Sequence, residues 1–256
     1  MNYGLYMSTA GMLTKSATLD ALSNNLANVT TTAFKPDRVF LKQREPARVE
    51  DGLPYLPSDK LLEQLGGGTL MAPTYPDLTP AALHDTGGPL DLAIQGDGFF
   101  QIADGADSTD VRLTRDGRFM LDENGRLVRA DDGRAVLDDS GADIELDPNL
   151  EVHIAGDGSI SQAGDVVARL GIVSPAAPNA LVKAGGNLFK LRDAGARTNP
   201  ATGIVRQGML ENSGVDPVRT MTQIIDVARA FERNLKMVQI FDQNLSRAIN
   251  TFGRVV

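Results

Sequence analysis

The sequence predicts an α+β protein: N- and C-terminal α-helices pair as a coiled coil, with a central antiparallel β-rich domain between them. Three observations predict it. Apolar residues recur every three or four positions at both ends of the chain. The middle alternates apolar and polar residues, and Asp-Gly and Asn-Gly pairs punctuate that middle.

The first helix is expected over roughly residues 5–29. Leu5, Met12, Leu19 and Leu26 recur every seven residues, and Leu22 and Val29 fill the intervening seam positions. Ser8 and Lys15 interrupt the early part of that stripe. Thr30-Thr31-Thr32 and Pro36 stop the helix, because the residue before a proline is biased toward extended backbone.

The last helix is expected to start at Asp216-Pro217, with Asp216 as cap and Pro217 in the first turn. Its seam reads Met221, Ile224, Ala228, Phe231, Leu235, Val238, Asp242, Leu245, Ile249 and Phe252, in unbroken three-four spacing. A helix of roughly 33 residues would be about 50 Å long and needs partners along its length. An amphipathic stripe commonly faces a core. A strict two-in-seven stripe of this length fits a coiled-coil seam better. Asp242 is costly in a dry seam and marks a gap, a register device or a subunit boundary.

Between the helices, Leu90–Ile94, Val111–Leu113 and Val152–Ile154 alternate, and Val166–Val173 is a near-continuous β-prone run. Asp97-Gly98, Asp116-Gly117, Asn124-Gly125, Asp132-Gly133 and Asp157-Gly158 favour the turns that join antiparallel strands. Gly117, Gly125, Gly133 and Gly141 fall eight apart, and Arg118, Arg126 and Arg134 follow the first three, a spacing that fits short hairpins or a meander. Residues 42–88 are Pro- and Gly-rich and read as a connector with little regular structure, except over Lys60–Leu65. Residues 175–186 and 195–203 read as loops. The expected division is 1–35 with 215–256 as a discontinuous helical assembly domain, 36–88 as an extended connector and 89–214 as a β-rich domain.

The chain has 256 residues, 42% apolar and 23% charged, which supports a packed core and argues against wholesale disorder. With no cysteine, a disulfide scaffold and a thiolate-zinc site are excluded. The formal charge of −8, the absence of tryptophan and the scarcity of aromatics disfavour a nucleic-acid binder. No segment approaches a membrane span, and no cleaved leader is visible at the start. Residues 85–165 hold 19 acidic and 6 basic residues, so the ends are net positive. Such a contrast is either a solvated surface or a means of pairing with neighbouring copies.

Chemistry-bearing patterns are scarce. His84 and His153 share no zinc-ligand spacing. Serine-nucleophile strings are missing, and Gly66-Gly67-Gly68 lacks the residues of a phosphate loop. Asp122-Glu123-Asn124-Gly125 begins like a calcium loop, but Gly133 stands where its acidic twelfth residue would be. Any two carboxylates could meet in space for glycoside hydrolysis, but nothing points to a pair. No catalytic residue, metal or cofactor is expected. The assembly seam is expected to comprise Leu19, Leu22, Leu26, Val29, Met221, Ile224, Phe231, Leu235, Val238, Leu245 and Ile249. Terminal helices with outward apolar stripes pair with each other and then stack on neighbouring copies, and such contacts give an open tube or filament.

Four strings carry a family resemblance. Asn24-Asn25-Leu26-Ala27-Asn28-Val29-Thr30-Thr31-Thr32-Ala33-Phe34-Lys35 is similar to the N-terminal signature of bacterial flagellar rod and hook proteins, with Ala33 where glycine is often found. Pro89–Phe100, Leu113–Phe119, and Gln207–Asp216 with Arg229-Ala230-Phe231-Glu232 resemble the following parts of the same family, in order and over nearly the whole chain. Ala33 is expected to relax the turn slightly.

The resemblance implies a non-enzymatic structural subunit of the basal-body rod, in the periplasmic space. It implies export unfolded through the flagellar type III apparatus without a cleaved signal, terminal helices lining the inner tube, and a β domain facing outward. The implied partners are other copies, neighbouring rod and hook proteins and the export apparatus, with neither nucleic acid nor membrane insertion. Among subtypes the chain resembles a proximal- or distal-rod protein; its length and compact connector are closer to the proximal type, and hook protein is longer. Two other readings stay open on the residues alone: a secreted hydrolase or carbohydrate-binding β domain, and a cytosolic coiled-coil adaptor.

Overall fold

A computed structural model describes residues 3–45, 68–104, 111–177, 180–192 and 198–252. They fall into two compact units. Unit 1 comprises Met1–Ala27, Asp37–Thr74 and Asp216–Val256; unit 2 comprises Asn28–Pro36 and Tyr75–Val215. The chain is α+β, with an N-terminal helix, a strand-rich middle and a C-terminal helix.

Unit 1 is built on α1 (Tyr3–Ala27) and α2 (Pro217–Phe252). At 36 residues, α2 is about 54 Å long. Its start follows the expected cap: the Asp216 side chain accepts the Arg219 N–H at 3.1 Å, and the Asp216 carbonyl accepts that of Thr220. The two helices pack against each other. A Cβ on Gly4 would lie 2.5 Å from the Phe241 ring, and one on Gly11 would lie 3.0 Å from the Asn234 amide. Moving seven residues up α1 moves seven down α2, so the helices run antiparallel.

Among the described residues unit 1 also holds three short strands: β1 (Asp37–Arg38), β2 (Leu41–Gln43) and β3 (Thr69–Met71). β2 and β3 pair antiparallel, with Leu41 opposite Met71, and β3 packs on α1. The Asn25 amide is buried and bonds the Asp37 backbone twice, donating to its carbonyl and accepting its N–H, each at 2.9 Å. The end of the stretch expected to be irregular therefore carries short strands. The expected exception at Lys60–Leu65 lies outside the described residues.

Unit 2 holds the remaining strands. They are β4 (Tyr75–Pro76), β5 (Leu83–Asp85), β6 (Leu92–Gln95), β7 (Phe99–Ala103), β8 (Val111–Thr114), β9 (Phe119–Leu121), β10 (Leu127–Arg129), β11 (Val152–Ile154), β12 (Ser159–Gln162), β13 (Asp165–Arg169), β14 (Ile172–Pro175), β15 (Leu181–Gly185), β16 (Leu188–Leu191), β17 (Thr198–Pro200), β18 (Ile204–Gln207) and β19 (Met209–Glu211). The largest sheet has the order β15-β16-β8-β7-β14-β17, β11-β12-β13 form a second, and β9–β10, β6–β18 and β5–β19 are pairs. Every one of these pairings is antiparallel. Successive residues of a strand face opposite ways, so Phe99 and Phe100 of β7 feed two separate cores. Phe100 meets Phe119 edge-on at 5.2 Å, and Phe99 meets Phe189 edge-on at 5.6 Å.

Several details depart from the sequence reading. α1 ends at Ala27, which leaves Val29 beyond the helix. Leu92, Ala93 and Ile94 are all buried, so β6 is covered on both faces and does not alternate. The turns at Asn124-Gly125 and Asp157-Gly158 do join paired strands. Those at Asp97-Gly98 and Asp116-Gly117 do not, because β6 pairs with β18 and β8 with β7 and β16. Gly117 has a different duty: a Cβ there would lie 1.6 Å from the Leu92 carbonyl oxygen. The 166–173 run is two strands in two sheets, split where Gly171 passes too close to the Asp138 backbone for any side chain. The loops expected at 175–186 and 195–203 contain β15 and β17.

The arginines of the eight-residue spacing make local ion pairs. Arg118, Arg126 and Arg134 each pair with an aspartate shortly before them: Asp116, Asp122 and Asp132. Asp116, Arg118, Asp131, Arg129, Asp132, Arg134, Asp104 and Arg112 then form one continuous alternating ladder. Hydrogen bonding to Arg112 holds the Asp104 carboxyl below the usual aspartate range.

Candidate functional site

The residues expected to form the assembly seam divide by exposure. On α1, Leu19, Leu22 and Leu26 are half-buried; Val29 is half-buried in unit 2. On α2, Ile224, Phe231 and Val238 are half-buried, whereas Met221, Leu235, Leu245 and Ile249 are exposed, the last two at 54% and 63%. The half-buried residues of α2 also include Val227, Asn234 and Phe241, which recur every seven residues on the flank of the expected stripe. α1 therefore covers one flank of a wide apolar band and leaves the other flank open. Sequence reasoning missed Gly4, Gly11, Asn234 and Phe241, although the Gly4–Gly11 and Asn234–Phe241 spacings of seven were there to be read. Asp242 is exposed and makes no ion pair among the described residues.

A second feature lies within unit 2, where parts of the four signature strings meet. Leaving α1, the chain turns at Ala33, whose φ of 53° is left-handed. An alanine there does not relax the turn; it accepts a conformation that glycine adopts more readily. The Ala33 N–H donates to the Glu211 carbonyl at 2.8 Å, the Gly214 N–H to the Phe34 carbonyl at 2.9 Å and the Ser213 hydroxyl to the Asn28 carbonyl. The incoming and outgoing segments of unit 2 are thus stitched side by side.

At the centre of this junction sit three buried charges. Glu211 accepts from Lys35 Nζ at 2.7 Å, from the Ala81 N–H at 2.7 Å and from Arg115 at 3.4 Å. The side chains of Lys35, Glu211 and Arg115 are 0%, 1% and 2% exposed. Lys35 also donates to the Thr79 carbonyl. Arg115 donates to the carbonyls of Ile94 and Gly96 and lies over the Phe99 ring, while its Nε has no hydrogen-bond partner among the described residues. Burial pushes the pKa values of Lys35 and Arg115 down, and Glu211 opposes both shifts. The Gln207 amide closes the far side, bonding Pro89, Val152 and Ile154 backbone atoms.

These groups bind and position one another and carry no reactive pairing. His84 is in β5 and His153 in β11. Among the described residues, no group of three or more His, Cys, Asp or Glu is placed to hold a metal ion, and no helix is long and apolar enough to cross a membrane.

Comparison with known proteins follows the same landmarks. Residues 206–251 match the family described as flagellar basal body rod FlgEFG protein C-terminal, and residues 93–168 match the flagellar hook protein FlgE/F/G D1 domain. The flagellar basal-body rod protein FlgF of Caulobacter vibrioides is 34% identical over 259 residues, covering all of both chains. The chain belongs to the flagellar basal-body rod protein family. FlgG of Bacillus subtilis is 33% identical, covering 96% of this chain and 97% of its own, and FlgF of Mesorhizobium japonicum is 31% identical over 99% of each. The 93–168 match holds Arg115 and the 206–251 match holds Glu211, while Lys35 precedes both. This is a family of structural rod proteins, and the hydrolase and carbohydrate-binding readings give way to it.

Proposed function

We propose that this chain is a structural subunit of the flagellar basal-body rod that polymerises through its terminal helices. Its location is the flagellar basal body, alongside other rod and hook proteins. The observation that carries the mechanism is the exposed apolar surface of α2, a helix about 54 Å long: Met221, Leu235 and Ile249 lie on its open flank, and Leu245 continues the Ile224–Phe231–Val238 column one turn beyond the Gly4–Phe241 contact. An apolar band only half covered by α1 is completed by sister molecules as a coiled-coil seam, including Leu19, Leu22, Leu26, Ile224, Phe231 and Val238. Residues 1–35 and 215–256 act as the assembly part and 89–214 as the outward β domain, with Val29 at the margin between them.

Association of this kind offsets the ordering of terminal segments with buried apolar surface, which suits a chain exported unfolded and folded on arrival. Replacing Leu235 by Asp places a charge in the seam. The expected outcome is loss of incorporation into rods while the β domain keeps its native circular dichroism. Normal rods built from that variant would overturn the seam.

A further inference from the structure

We propose that Glu211 closes unit 2, so that its β domain stays open until the last strands arrive and neutralise two cations buried far upstream in the chain. The biological use of such a device rests on the export reading above; its physics does not.

Lys35 and Arg115 lie 176 and 96 residues before Glu211, and both are sealed from solvent beside it. Among the described residues no other carboxylate forms an ion pair with either. Asp77 and Asp97 attract Lys35 and Arg115 through space without pairing with them, so without Glu211 the core would have to enclose two cations whose direct partners are carbonyl oxygens. An uncompensated buried charge strongly disfavours the folded state. A chain ending before β19 lacks the one carboxylate that pairs directly with both cations, and its core is strongly disfavoured at neutral pH.

The backbone agrees with the charges. β6 is buried on both faces and takes its partner from β18, with Ile94 opposite Val205. β5 takes its partner from β19, with His84 opposite Leu210. Gln207 ties Pro89 to β11, and Gly208 accepts Thr86 and Gly87 while donating to Asp91. Residues 204–214 thus finish hydrogen bonds for β11 about fifty residues earlier and for β5, β6 and Pro89 more than a hundred residues earlier. Contacts of such sequence separation form late, because the long loop must be closed before they are gained. Chains are made from the N-terminus, so the closing segment is also the last part of unit 2 to appear. An incomplete chain remains unfolded by construction, which is the state a narrow export conduit requires.

Pulse-labelled hydrogen exchange during refolding of the full chain tests this. Amides of β7, β8 and β10 are expected to become protected in the same kinetic phase as those of β18 and β19. A core over residues 99–191 protected tenfold sooner would overturn the proposal. Glu211→Gln keeps the shape and removes the charge. It should lower the folded-to-unfolded ratio of unit 2 about a hundredfold and remove protection from β7 and β8 together with β19; loss confined to β19 and residues 33–36 would also overturn it. Lys35→Met should change the ratio less than tenfold, because Arg115 then remains paired one to one with Glu211. Equal damage from both variants would mean generic packing and would sink the charge argument. None of these measurements involves a rod, so they stand or fall separately from the Leu235→Asp result.

Discussion

Leu92, Ile94 and Phe100 in unit 2 are sealed from solvent, whereas Leu245 and Ile249 on α2 in unit 1 stand more than half exposed. The same kinds of side chain serve different ends. In unit 2 the two faces of β7 are filled by two clusters, four aspartates and four arginines pair in one ladder, and the incoming and outgoing segments of the unit are stitched around Glu211. In unit 1 a long helix is covered along one flank by α1 and left bare along the other. One chain thus carries a closed fold and a second unit that leaves apolar surface on α2 open to solvent.

Glycine contacts offer the sharpest way to break that contrast. A Cβ on Gly117 would sit 1.6 Å from the Leu92 carbonyl oxygen, inside fixed backbone. Gly117→Ala is expected to destabilise unit 2 by about 3 kcal/mol or more, the scale of severe overpacking. A Cβ on Gly4 meets only the tip of the Phe241 ring, which can swing away. Gly4→Ala should cost about 1 kcal/mol or less. Urea unfolding followed by hydrogen exchange separates the units. Equal sensitivity at both glycines would mean that unit 1 is as closed as unit 2.

Acid should distinguish the units next. Hydrogen bonding to Arg112 lowers the Asp104 pKa, and hydrogen bonds from Ser159 lower that of Asp157. The unfolded chain then binds protons more readily than the folded one below the ordinary aspartate value of 3.8. The stability these carboxylates contribute is complete above that pH and is lost as pH falls through their lowered folded values. Unit 2 is therefore expected to lose stability at acid pH, and Asp104→Asn should flatten the dependence at a cost of about 1 kcal/mol at neutral pH. An unchanged pH profile in that variant would remove the ladder from the account.

How much of this was legible follows from the range of each interaction. α2 was legible because Asp216-Pro217 marks its start and the three-four spacing runs on without a break. The packing of α1 onto it was less so, because Gly4 and Gly11 carry no hydrophobic signal. The turns at Gly125 and Gly158 were legible because the strands they join are adjacent in sequence. β6–β18 and β5–β19 were not, since three- or four-residue strands do not announce partners so far away. Lys35, Arg115 and Glu211 read as ordinary surface charges until the fold brings them together. The four signature strings could be recognised as a set, but only tertiary structure explains why they belong together.

The helix cap gives a smaller, local effect. Asp216→Ala removes the acceptor for the Arg219 N–H and should cost α2 about 1 kcal/mol, visible as faster exchange over its first turn while β7 and β8 remain protected. Loss of protection spreading into unit 2 would mean that the helix start and the β domain unfold as one.

The smallest expected effect on the free chain is the most informative about the exposed apolar surface of α2. Leu245 is 54% exposed, so Leu245→Ser removes little surface that folding had buried. Stability of the isolated protein should change by about 0.5 kcal/mol or less. If that surface serves neighbouring copies, the same variant should nevertheless weaken polymerisation, because the buried area lost then belongs to the contact between molecules. Sedimentation of the polymer and thermal unfolding of the monomer read the two effects separately. A variant that destabilises the monomer while polymerising normally would show that Leu245 is part of a closed core, and the distinction between the two units would fail at that residue.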